Sequence, residues 1–158
     1  MTTPDLTPDE LALAKKFAMR CNNRAWALTA QAGRTPAQDR EMLNAAHASA
    51  YHWGQVGVEQ NWMRATMCLA LVHALLGHGK TALAMAQEMR DYFLPRADTP
   101  DWELAFTHAI YAHAAHVAGD EAAHRSAYQE AVKAIAAIAD EEDRKIVNET
   151  FAQVPASL

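Results

Sequence analysis

The chain has 158 residues, a formal net charge of −5 and an apolar fraction of 51%, with 35 alanines against 7 valines and 4 isoleucines. Abundant alanine with few β-branched residues favours helix and excludes a sheet protein, and six glycines and six prolines are too few for the turns of a sandwich or barrel. The acidic balance excludes a broad nucleic-acid-binding surface.

The start, Met1-Thr2-Thr3-Pro4-Asp5, has neither a basic stretch nor an apolar one, so no signal peptide is expected. The longest apolar run, Met67 to Leu76, is interrupted by His73. It falls far short of the roughly 20 residues that span a bilayer. A cytoplasmic protein without membrane contact is the expectation. Cys21 and Cys68 lie far apart in helical patterns with no CxxC pair. Both read as free thiols rather than as a disulfide.

Helix starts follow in order. Thr7-Pro8-Asp9-Glu10 is a capping box with proline at the first helical position, and Thr35-Pro36-Ala37-Gln38 repeats the device. Thr99-Pro100-Asp101 is a third Thr-Pro start, and Asp120 and Asp140 suit as N-caps. Gly33, Gly57, Gly77 and Gly119 each follow an apolar pattern and mark stops, as does Pro95. These signals predict seven helices near 8–31, 36–55, 59–76, 80–94, 100–118, 120–139 and 141–153. The short connections between most of them imply antiparallel neighbours within a single domain over 1–158. Large apolar residues surround the third helix, from Trp62 to Leu76, which should therefore be central. The last should cap the array, with Val147, Phe151 and Val154 against Ile135 and Ile138.

Ala65–Arg90 and Thr107–Val132 align without a gap at an offset of 42 residues, which sets Gly77 on Gly119 and Ala70 on Ala112. A third copy centred on Gly33 is weaker. Leu69-Ala70, Leu76-Gly77, Ala82 and Ala86 resemble the tetratricopeptide pattern, in which small residues let paired helices approach and a glycine closes the turn. The best copies are 59–94 and 100–139, with 141–153 as the cap. The period of 42, rather than about 34, departs from the family, as does His124 at a small-residue position. The segment Ala45–Met89 also resembles short bacterial proteins of this type, which implies no particular activity.

The resemblance implies an all-α stack of antiparallel, TPR-like hairpins whose first helices line a concave face. Arg64, Met67, Leu71 and Leu75 would line it in one copy and Phe106, Ala109, His113 and His116 in the other. Arg20, Asn23 and Ala27 would continue the line. Six of these, Arg64, Met67, Leu71, Phe106, His113 and His116, form the candidate peptide groove. Arg64 would select an acidic partner residue, and the histidines would make binding pH-sensitive between about pH 5 and 8. The same apolar residues also fit a plain core. A family variant grips a peptide carboxylate with a basic, amide-rich clamp. Met67 and Leu71 occupy matching places here.

Among eight histidines, His113 and His116 have the i, i+3 spacing that sets two rings on one helical face. His124 beyond the turn is a possible third metal ligand. Pairs five apart on one helix, such as His73 and His78, diverge by about 140°. Glu121-Ala122-Ala123-His124 matches a single Glu-x-x-His, whereas di-iron chemistry needs two copies and two further glutamates. HExxH, GxSxG, P-loop and GxGxxG motifs are absent from the sequence. Trp26, Trp53, Trp62 and Trp102 read as packing anchors. The functional expectation is a non-catalytic scaffold or adaptor without a cofactor, binding a protein or peptide or pairing as a homodimer. The alternative is a metal- or small-ligand-binding helical bundle that uses His113 and His116.

Overall fold

The computed structural model describes residues 5–157, so the reading of Met1–Pro4 lies outside the described residues. Among these residues the chain forms seven α-helices and no strand: α1 (Pro8–Thr29), α2 (Pro36–Val56), α3 (Glu59–Leu75), α4 (Gly79–Phe93), α5 (Asp101–Val117), α6 (Glu121–Ala137) and α7 (Glu141–Phe151). Every boundary falls within two residues of its expected place. The all-α class follows directly.

The caps explain this agreement. In α1 the Thr7 hydroxyl accepts from the Glu10 backbone N–H, and the Glu10 carboxylate accepts the Thr7 N–H at 2.8 Å. Thr35 and Gln38 do the same in α2. Asp120 accepts from the Ala123 N–H, and Asp140 from those of Glu142 and Asp143. The third Thr-Pro start behaves differently. Pro100 itself is the N-cap, and the Thr99 hydroxyl donates back to the Phe93 carbonyl at 2.8 Å, tying α5 to the end of α4.

Helices α1 and α2, α3 and α4, and α5 and α6 pack as consecutive hairpins, and the first helices also touch in sequence, α1 on α3 and α3 on α5. Helix α3 is central. Every residue from Met67 to Ala74 is buried, one side facing α1 and α2 and the other facing α4 and α5. Trp62 at its start is the exception: it is exposed and donates its indole N–H to the Trp53 carbonyl. Helix α5 is equally enclosed, with every residue from Ala109 to Ala115 buried. Its alanines and histidines gave no strong apolar signal. Helix α7 buries Val147, stacks Phe151 on Tyr128 and packs on α5 as well as α6. Just beyond it, Gln153 Nε2 donates to the Thr29 carbonyl of α1 at 3.0 Å.

The two turns of the internal repeat match bond for bond. Gly77 (φ 77°) and Gly119 (φ 81°) are both left-handed. In each turn the glycine N–H bonds the carbonyl three residues back, to Ala74 or His116. The next N–H bonds the carbonyl five back, His78 to His73 and Asp120 to Ala115. This is a Schellman closure, which satisfies carbonyls that a helix end leaves free. Gly79, two residues on, serves close approach instead. A Cβ there would lie 2.4 Å from the Val117 carbonyl oxygen, so the α3–α4 turn sits directly on the end of α5.

Gly77→Ala and Gly119→Ala meet no steric obstacle. They should each lose about 1 kcal/mol, from the backbone conformation alone. Gly79→Ala should lose about 2 kcal/mol through overpacking. Urea unfolding measures all three, and a Gly79→Ala protein as stable as the parent would contradict the contact of α4 with α5.

Candidate functional site

Where α1, α3, α5 and α7 converge, the helices leave a cavity of about 370 Å³. Helix α1 contributes Asn22, Trp26 and Thr29, α3 Arg64 and Met67, α5 Trp102, Glu103 and Phe106, and α7 Ile146, Glu149 and Thr150. Three aromatic rings form its walls. Phe106 packs against Trp26, at 5.5 Å and 57°, and against Trp102, at 6.2 Å and 86°. Phe106 and Met67 are buried, while Ile146 is 53% exposed and Glu149 is exposed. A ligand can therefore reach the rings past α7. The size and the mix of apolar wall with few polar groups are those of a ligand site.

One ion pair fixes the polar side of the cavity. Arg64 Nε and Nη2 donate to the two Glu103 oxygens at 2.6 and 3.0 Å, and the Glu103 side chain is 1% exposed. Bidentate pairing is the arrangement that compensates a buried carboxylate. The carboxylate also holds the Arg64 guanidinium above its usual pKa. The guanidinium sits 5.6 Å from the Trp102 ring centroid. Two of the donors that an acidic partner residue would use are thus given to Glu103 of the same chain.

The six expected groove residues divide. Arg64, Met67 and Phe106 line this cavity. Leu71 is fully buried in the core beside α4, and His113 is buried near His116 and His124. His116 lines a separate cleft of about 120 Å³ with Glu121, His124 and Arg125. The stripe divides because α5 is covered along its length by α4, α6 and α7. On α1 the expected residues Arg20, Asn23 and Ala27 line an open groove against α2, and Asn22, Trp26 and Thr29 take their place in the cavity. The cause is the register. Arg20, Asn23 and Ala27 follow from setting Gly33 on Gly77, 44 residues away, whereas Asn22 lies 42 residues before Arg64, the same offset that separates Arg64 from Phe106, and two residues amount to about 200° around a helix.

The structure brings histidines together in two places. His73 and His78 meet across the Gly77 turn with Nδ1 atoms 3.0 Å apart, and His47 stacks edge-on to His73. The 140° divergence does not apply, because the helix ends between them. His116 and His124 lie 5.0 Å apart by ring centroids. His124 Nδ1 donates to the Ala112 carbonyl, which explains a histidine at a small-residue position. Among the described residues no three His, Cys, Asp or Glu side chains are placed to hold a metal ion. Cys21 and Cys68 are free, and burial pushes the Cys68 thiol up to about 12.

Glu103, Trp102 and Trp26 line the cavity but were not among the expected groove residues; the two tryptophans were expected only as packing anchors. The signal for Glu103 was its position. It sits one turn before Phe106 and two before Ile110, so a charged residue interrupts a stripe that is otherwise buried. Comparison with protein-family models, with curated proteins and with solved structures finds no match to this chain.

Burial, with the nearby His116 and His124, pushes His113 down to about 4 from 6.5. The folded protein thus resists protonating this ring, and the unfolded chain takes the proton first. The stability His113 permits is complete above about pH 6.5 and is lost as pH falls from 6.5 toward 4, on the order of 3 kcal/mol in full. His113→Gln should lose correspondingly less over that window in urea unfolding at pH 7, 5.5 and 4. Equal slopes for the two proteins would refute it.

Proposed function

We propose that this protein is a non-catalytic, peptide-binding scaffold built as a TPR-like stack of hairpins, and that the cavity between α1, α3, α5 and α7 receives a side chain of the partner. The observation that carries the reading is the convergence of the first helix of every hairpin on one aromatic-lined cavity. In a stack of helix pairs, the face formed by the first helices is the one that curvature leaves concave. The rings give contact area at small entropic cost, since each has only two torsions to fix. The paired Schellman turns, 42 residues apart, support the repeat reading. No helix of the described residues is long and apolar enough to cross a membrane, in keeping with a partner met in water.

The test is selection of a displayed library of random twelve-residue peptides on the full chain. Ile146→Arg serves as the comparison, because Ile146 is exposed at the mouth and a longer charged side chain there obstructs entry without disturbing the core. Enriched peptides should bind the parent protein with micromolar Kd and the Ile146→Arg protein at least tenfold more weakly. No enrichment, or equal binding to both proteins, would overturn the reading.

A further inference from the structure

We propose that the side chain taken by this cavity is basic, a lysine or arginine of the partner peptide, held between the indole rings and the Glu149 carboxylate. The inference rests on the peptide-binding reading and adds the chemistry of the ligand. Its basis is the charge balance of the lining. Two carboxylates and one guanidinium line the cavity. Arg64 and Glu103 satisfy each other through two hydrogen bonds, so that pair presents no net charge to a ligand. Glu149 is left over. It is exposed at the rim and takes part in none of the ion pairs among the described residues, not even with Lys145 one turn earlier.

The walls suit the same ligand. A cation is attracted to the face of an indole ring within about 6 Å of its centroid. Arg64 already occupies such a place on Trp102, at 5.6 Å. Trp26, half-buried and 5.5 Å from Phe106 by ring centroids, offers a second indole surface to the cavity. The methylene stem of lysine or arginine fits an apolar wall made by Phe106, Met67 and Ile146 while its charged end stays near water and Glu149. An acidic side chain would have to compete with Glu103 for the Arg64 guanidinium, and it meets Glu149 as a like charge. The surrounding field has the same sign. The first turn of α7 carries Glu141, Glu142 and Asp143, and the whole chain has a formal charge of −5. Such a field attracts a basic segment before contact.

The experiment uses four tripeptides, acetyl-Gly-Xaa-Gly-amide with Xaa lysine, arginine, norleucine or glutamate, each titrated into the full chain. The readout is the nitrogen–proton NMR signals of the Trp26 and Trp102 indoles. The lysine and arginine peptides should shift these signals and bind at least fivefold more tightly than norleucine, and glutamate should leave them unmoved. Glu149→Gln should bring lysine down to the level of norleucine. Norleucine equal to lysine would overturn the charge selection, while leaving selection of random peptides to decide the peptide-binding reading. Tighter binding of glutamate, an unchanged lysine preference in Glu149→Gln, or no shift with any peptide would overturn it as well.

Discussion

Alanine sets the distance between the helices, and the rest of the structure follows from that distance. Ala70 and Ala74 of α3 are buried in one core with Ala82 and Ala86 of α4, and with Ala112, Ala114 and Ala115 of α5. A side chain of one carbon lets backbones come close. It contributes little apolar transfer energy, roughly 0.8 kcal/mol per buried carbon. The larger share therefore falls to a few fully enclosed residues, among them Phe93, Leu71, Met89 and Ile110. Close approach also explains why the α3–α4 turn touches α5 so tightly that position 79 has no room for a Cβ. The cavity lies where alanine gives way. Trp26, Arg64, Met67, Trp102 and Phe106 hold α1, α3 and α5 apart and leave the space between them unfilled.

The Arg64–Glu103 pair belongs to the same region and has its own consequence. A buried carboxylate is tolerable only with its hydrogen bonds made, and here both oxygens are engaged by one guanidinium. The pair joins α3 to α5 across the cavity wall and holds Arg64 over Trp102. A polar contact thus fixes the position of an aromatic wall.

The helices were legible in the sequence because their ends are written locally. Thr7 with Glu10, Thr35 with Gln38, and the aspartates at 120 and 140 act within three residues of themselves. Gly77 and Gly119 could likewise be placed by pattern, since left-handed backbone at a helix end is a local demand. The candidate site was legible only in part. Arg64, Met67 and Phe106 share the cavity because the 42-residue register relates α3 to α5 correctly. Asn22 and Trp26 were missed because α1 was aligned on Gly33, two residues out of the 42-residue register, and two residues turn a helix by more than half a turn. Glu103 answers Arg64 from 39 residues away, and Ile146 and Glu149 arrive from a helix outside the repeat. Such relations depend on how α7 folds back, and no short stretch of sequence encodes that. Histidine spacing misled for a related reason: it was measured along an ideal helix, and the chain turns at Gly77 between His73 and His78.

The return of the C-terminal segment to α1 changes how the molecule holds together. In an open stack of hairpins each unit touches only its neighbours, and melting propagates from a frayed end. Here the bond from Gln153 to the Thr29 carbonyl and the shared wall of the cavity connect the last element to the first. The inner face of the stack is thus bridged, by one hydrogen bond and by a cavity wall to which both ends contribute. A ligand seated in the cavity would touch both the first helix and the last, at the point where the two ends of the stack meet.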